Sequence, residues 1–341
     1  MKLNVDRARL PETVDAVVKK TMEMDLPWEW PCGVAYYGVA RAFEATQKQE
    51  YLDLLRERVD ALIALGLPHL TVNACAMGHC LLSLHQAAGG VAYLDIAAQM
   101  TDYLRNHALR FGDRVLQHTV SSKNDFPEQA WADTLFMAAY FMLRFGVLTG
   151  DAELVKDALH QYDMHIEFLQ DKATGLWYHG YNNLQKDHMS GFFWARANAW
   201  AAYTMARVKR TLPEAYLYPT FMDIDCSVRD QLAGLKKLQT ANGLWRTVLD
   251  DPDSYEETSA SCGIAAAMIV NDNPLHTAYV QKAYNAILNN VTPDGRVQNV
   301  SAGTAVMRDR EGYRRISRTW MQGWGQGLAL AFFAAVLGTE E

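Results

Sequence analysis

Proline and basic charge are both scarce in this chain. Ten prolines in 341 residues leave few obligatory helix breaks. Lys and Arg together number 32 against 39 Asp and Glu, a net charge of −7. That balance provides no basic footprint for a phosphate backbone, so nucleic acid is not expected as a partner. The five cysteines, Cys32, Cys75, Cys80, Cys226 and Cys262, are odd in number and contain no CxxC pair. Neither a disulfide framework nor a zinc site is written in that pattern, and buried reduced thiols are expected instead. No run reaches the ~18 apolar residues of a membrane span, and the opening MKLNVDRARLPETVDAVVKK carries charge where a signal peptide needs an apolar stretch. A cytoplasmic protein without membrane contact is the expectation. HExxH and GxSxG are absent, and the glycine-rich GWGQG at 323–327 follows no strand signal, so metal, serine-hydrolase and phosphate-loop chemistry find no support and no cofactor is expected.

Repetition is what the sequence does offer. Apolar residues at helical spacing recur in pairs of segments, a small and apolar helix followed by an amphipathic one. Gly33 to Ala45 pairs with Tyr51 to Leu65, and Gly78 to Ala88 with Tyr93 to Asn106; Tyr51-Leu52-Asp53 and Tyr93-Leu94-Asp95 echo one another. Further pairs run from Asp133 to Leu169, Ala195 to Leu238 and Thr258 to Val291. The last apolar segment, Gly323 to Val336, lacks a successor, while residues 11–24 form an amphipathic helix without a predecessor. Joining those two closes a ring of six hairpins. The units vary too much in length for an open solenoid, so the expected fold is all-α: one (α/α)6 barrel spanning residues 1–341.

Four long connections, at 118–131, 176–194, 243–258 and 299–320, each lead into an inner helix and would gather at one mouth. Seven of the nine tryptophans (131, 177, 194, 200, 245, 320 and 324) fall in or beside them; Trp28 and Trp30 precede the first inner helix. Such aromatics either stack on sugar rings or fill a core. Asp133 opens the apolar helix of QAWADTLFMAAYFM, where it is either an N-cap or an acid at the edge of a desolvated cavity. Asp125, Glu128 and Glu257 read as surface or capping groups. Arg196, inside the apolar FWARANAW, demands an anionic partner, whereas Arg246 and Arg318 read as solvated. His179 follows a glycine turn among aromatics and is either structural or a proton carrier.

WADTLFMAAY, TGLWYHGY, FWARANAW, ETSAS and the glycine-rich final helix, in this order, resemble glycoside hydrolase family 105, with family 88 more distant. The resemblance covers residues 28–337. It implies an (α/α)6 barrel and an unsaturated glycuronyl hydrolase acting on lyase-generated oligosaccharides that end in a 4,5-unsaturated uronic acid. By the same resemblance Asp133 is the acid that protonates C4, which calls for a raised pKa. Lys123 and Arg196 hold the uronate carboxylate, and Trp30, His179, Trp194 and Trp200 line the sugar site. Where members of the family often carry an aspartate, this chain has Asn73, which positions a hydroxyl or water but shares no proton. Two other functions remain open on sequence: a sugar 2-epimerase using His179 with His118, and a non-catalytic saccharide-binding scaffold.

Overall fold

The computed structural model describes residues 1–212 and 217–339. Six apolar helices form an inner ring: α2 (Trp30–Thr46), α4 (Gly78–Ala88), α6 (Tyr140–Thr149), α8 (Ala195–Thr211), α10 (Thr258–Asn271) and α13 (Gly323–Leu337). Each packs on the next, and α13 closes on α2. The outer ring consists of α1 (Arg9–Met22), α3 (Gln49–Ala64), α5 (Val91–Asp102), α7 (Ala152–Leu169), α9 (Thr220–Lys237) and α11 (Thr277–Asn289). Each of these lies on its inner partner, α1 on α13 included. The ring read from the repeats is therefore present, with α1 and α13 as the sixth hairpin. Part of the α8–α9 connection, residues 213–216, lies outside the described residues.

Residue size explains the division of labour. Outer helices bury one stripe, as Leu10, Val14, Val17, Val18 and Thr21 do on α1. Inner helices are buried nearly all round and meet through small side chains. A β-carbon on Gly38 would sit 2.4 Å from the carbonyl oxygen of Gly327, and one on Gly263 would meet the Ala199 methyl at 2.8 Å. Gly323 and Gly327 of GWGQG thus let α13 approach α2, while Gly325 makes room for Val300 in the connection before α13. Glu29, Asp151 and Glu257 cap α2, α7 and α10 by accepting backbone N–H groups. Four cysteines are buried; Cys226 is exposed on the outer helix α9, where the expectation of burial does not hold.

Strands are confined to the connections. β1 (Arg110–Phe111) pairs with β2 (Val115–Leu116), β3 (Gln129–Trp131) with β4 (Gly180–Asn182), and β5 (Trp245–Arg246) with β6 (Glu256–Glu257), all antiparallel. A bridge between Trp194 and Val248 joins two further connections. These short ladders knit the loops into a rigid rim at the end of the barrel where the inner helices begin. A last helical turn, α12 (Arg310–Arg314), lies in the strap between α11 and α13.

Candidate active site

The rim surrounds a cavity of about 200 Å3 whose wall includes Trp30, Asn73, Trp131, Asp133, Trp194 and Arg196. A wider recess of about 640 Å3 lies between α8, α9 and the end of α10, lined by Met205, Phe221 and Val228 with Lys209 and Asp225. Among the described residues it brings no histidine to its two acids, Asp225 and Asp272, whereas the rim cavity sets histidines beside its acid.

Asp133 stands at the end of β3, where the chain turns into the helix leading to α6. The next turn, Leu135–Ala139, is π-helical, an uncommon widening often found at functional sites. Asp133 is not an N-cap, because its carboxylate takes no backbone hydrogen bond at the helix start. Its side chain is 15 % exposed, and Oδ2 lies 3.5 Å from His179 Nε2. Neither atom has a formed hydrogen bond. That distance is long for a hydrogen bond. Burial raises the Asp133 pKa, but the His179 imidazole, His118 and the Arg196 charge outweigh it and leave the acid below its ordinary value. The raised pKa expected of this acid is thus not found; its surroundings lower it instead.

Two histidines flank the acid. His118 stacks on Trp131 with ring centres 4.4 Å apart, and its Nδ1 is 3.0 Å from Thr134 Oγ1. Burial brings its pKa down to about 4, so it is neutral at physiological pH. His179 lies 4.1 Å from the Trp194 ring, and its Nδ1 is 3.0 Å from the Tyr313 hydroxyl. Burial lowers its pKa too, against the opposing pull of Asp133.

Arg196 has the anionic partner its setting demanded. Glu257 Oε1 lies 3.6 Å away, and both side chains are only 1 % exposed. The guanidinium also donates to the Ser301 hydroxyl at 2.5 Å, the Ser301 carbonyl at 3.2 Å and the Ala302 carbonyl at 2.9 Å. Glu257 caps α10 through Ala260 N–H at 2.6 Å and accepts Ser301 N–H at 2.8 Å. Glu257 is therefore a buried strut, not a surface group. Together the pair pins the strap to α8 and α10, with Trp194 and Trp324 facing the guanidinium at 4.4 and 5.4 Å.

Of the residues singled out by sequence, Trp30, Asn73, Asp133, Trp194 and Arg196 line the cavity, and His179 backs onto it through Asp133. Trp30 stacks on Trp324 at 4.3 Å, and Asn73 has a buried Oδ1 without a hydrogen-bond partner. Two expected members are elsewhere. Trp200 is fully buried against Phe136 below the cavity, where an aromatic on α8 fills core. Lys123 is exposed on the rim loop and is not part of the cavity wall. Arg318, read as solvated, lies 4.1 Å over the Tyr255 ring, and Arg246 donates to the Pro252 carbonyl at 3.1 Å. No local sequence signal marks the roles of Tyr313, Ser301 and Trp324 beside His179 and Arg196. Tyr313 sits 134 positions from His179, so no local spacing could have linked them.

A family model described as Glycosyl Hydrolase Family 88 matches residues 6–339. The unsaturated rhamnogalacturonyl hydrolase YesR of Bacillus subtilis is 50% identical over 337 residues, covering 98% of this chain and 97% of that protein. An unsaturated 3S-rhamnoglycuronyl hydrolase of Formosa agariphila is 25% identical, covering 92% and 86% respectively. Among solved structures, a possible member of the GH105 family from Klebsiella pneumoniae superposes with a TM-score of 0.92 at 25% identity, covering 100% of this chain and 96% of that one.

Proposed function

Because this chain belongs to Glycosyl Hydrolase Family 88, we propose that it removes a 4,5-unsaturated uronic acid from the non-reducing end of lyase-generated oligosaccharides such as unsaturated galacturonyl-rhamnose. The observation that carries the reading to a residue is the Asp133 carboxylate. It faces an aromatic-walled cavity and keeps one buried oxygen without a hydrogen bond.

The reaction is hydration of a vinyl ether. Asp133 delivers a proton to C4, and the positive charge that develops at C5 is shared with the ring oxygen. The carboxylate left behind then takes a proton from a water molecule that adds at C5. The resulting hemiketal opens to a C5 ketone, and the hemiacetal at C1 breaks down to an aldehyde and the released saccharide. One carboxyl suffices for this sequence, unlike the paired carboxylates of ordinary glycosidases.

The surrounding protein groups favour the ionised form of Asp133. An incoming uronate adds a negative charge and expels water, and both changes raise the acid's pKa. The substrate therefore loads the acid with its proton. Trp30 offers an apolar face to the sugar, Trp194 backs the wall from its buried place against Arg196 and His179, and Asn73 hydrogen-bonds a hydroxyl. Arg196 contributes its charge from behind the cavity, since its terminal nitrogens are engaged with the strap, and Lys123 meets the carboxylate from the rim. The sugar 2-epimerase reading loses its footing, because a single acid lies between the two histidines and His118 is already bonded to Thr134. The relatives offer no support for a scaffold without catalysis.

The test is product analysis. Incubation with unsaturated galacturonyl-rhamnose should release free rhamnose and a saturated keto acid, resolved by mass spectrometry. Intact disaccharide after prolonged incubation, with unsaturated glucuronyl disaccharides equally untouched, would overturn the reading.

A further inference from the structure

We propose that Tyr313 is a positioning residue whose hydroxyl donates to His179 Nδ1 and so holds the proton of the neutral imidazole on Nε2, facing Asp133. The inference rests on the reading above that Asp133 carries the proton. Three contacts lead to it. The Met307 backbone N–H, which can only donate, lies 3.2 Å from the Tyr313 hydroxyl oxygen, so that oxygen accepts there. His179 Nδ1 lies 3.0 Å away on another side and is the nearest acceptor for the single phenolic proton. The third neighbour, Ser190 Oγ, is 3.5 Å distant. A neutral imidazole has one donor and one acceptor nitrogen, so an accepting Nδ1 makes Nε2 the donor. Nε2 is buried, and the acceptor it faces is Asp133 Oδ2 at 3.5 Å.

The orientation matters for the reaction. When the acid gives its proton to C4 it becomes a carboxylate, and an N–H aimed at that carboxylate stabilises the charge as it forms. The opposite tautomer would present a lone pair to it. The other charged or titratable groups facing Asp133 are His118 from the rim connection and Arg196 from α8, with Glu257 behind the arginine. Burial pushes Tyr313 up to about 12, so the phenol keeps its proton throughout the working range.

The strap fixes the tyrosine. Asp309 caps α12 through Gly312 N–H at 2.7 Å, and Arg314 forks onto Asp251 at 2.7 and 2.5 Å. A rim segment far from the acid in sequence thereby sets its hydrogen-bond environment.

The experiment combines nitrogen NMR of histidine-labelled protein with kinetics. In the substrate-free wild type, the His179 resonances, identified by their loss in His179→Asn, should show a protonated Nε2 and a bare Nδ1. Tyr313→Phe should move them toward the other tautomer. In that variant KM should stay within about twofold while kcat falls about tenfold. The alkaline limb of kcat should rise by roughly one pH unit, because the ionised acid loses a donor. A wild-type His179 protonated on Nδ1 overturns the proposal even if Tyr313→Phe fails to fold. So does a folded variant whose tautomer, kcat and pH limb are unchanged. If instead the wild type leaves unsaturated uronides intact while His179 shows the expected tautomer, the functional reading fails and the tyrosine's effect on the imidazole stands.

Discussion

Two polar clusters share the axis of this barrel, and they differ in what their atoms are bonded to. Trp30, Asp133 and Arg196 lie at the mouth on three inner-ring segments. Seven residues further along each segment, two helical turns or about 10 Å deeper, stand Tyr37, Tyr140 and Tyr203. In the deep cluster the partners close on one another. Tyr37 and Tyr203 share a 2.8 Å hydrogen bond, Arg207 Nε donates to Tyr140 at 3.0 Å, and Arg144 donates to the His79 carbonyl and to Ser83, both at 2.9 Å. Its Arg41 Nε is the exception, buried without a partner. At the mouth, Asp133 Oδ2 and Asn73 Oδ1, on two residues of the cavity wall, and His179 Nε2 behind Asp133 are all buried without a hydrogen-bond partner. Buried polar atoms without partners are costly, and three of them gather on or directly behind the wall of one cavity.

The sharpest break in that comparison is Asp133→Asn. Loss of the proposed proton carrier should lower kcat by about 10²–10⁴-fold, while the melting temperature falls modestly, because the folded site favours the ionised carboxylate more than the unfolded chain does. Calorimetry beside a turnover assay checks both halves. Arg196→Leu should act on the fold as well, because Glu257 would be left buried and uncompensated. A loss of about 3–5 kcal/mol in urea unfolding is expected, together with the strap and the activity.

Acid should reveal the neutral histidines. Burial brings both His118 and His165 down to about 4. Between pH 6.5 and 4 the unfolded chain takes up protons that the native protein refuses. Stability should therefore fall as pH is lowered through that window, by at most about 1.4 kcal/mol per unit for each histidine, and level off for these groups below it. The acid itself gives a kinetic counterpart. The pKa governing the alkaline limb of kcat, read with substrate bound, should lie above that governing kcat/KM, which reports the free enzyme. Coincident limbs would show that the substrate does not load Asp133. In the deep cluster, Tyr140→Phe should cost about 1–3 kcal/mol of stability and leave kcat within about twofold. Lys123→Ala is the mildest change. KM should rise about twofold to fivefold, less at high salt, because the ammonium is exposed.

The ring was legible because it follows from periodicity. Apolar inner and striped outer helices repeat in order, and even the pairing of α1 with α13 could be read from the two unmatched segments. Arg196 was legible for a different reason, since a guanidinium in FWARANAW cannot be buried alone. What the sequence could not reveal were contacts made across the rim. Glu257 reads as a helix cap, which it is, but its second role beside Arg196 comes from packing between α8 and α10. Tyr313 lies in EGYRR, a charged stretch that looks like surface, and is buried because Arg314 and Asp251 fold the strap inward. Trp200 misled in the opposite direction. It shares a motif with Trp194, yet six residues of helix carry it from the cavity wall into the core.

The most direct measurement follows the ultraviolet absorbance of the conjugated carboxylate in a lyase-generated disaccharide, with wild type, Asp133→Asn and Tyr140→Phe run in parallel. Wild type and Tyr140→Phe should clear the absorbance at similar rates while Asp133→Asn leaves it standing. Clearance by folded Asp133→Asn at the wild-type rate would contradict the assignment of the unmatched carboxylate as the proton carrier.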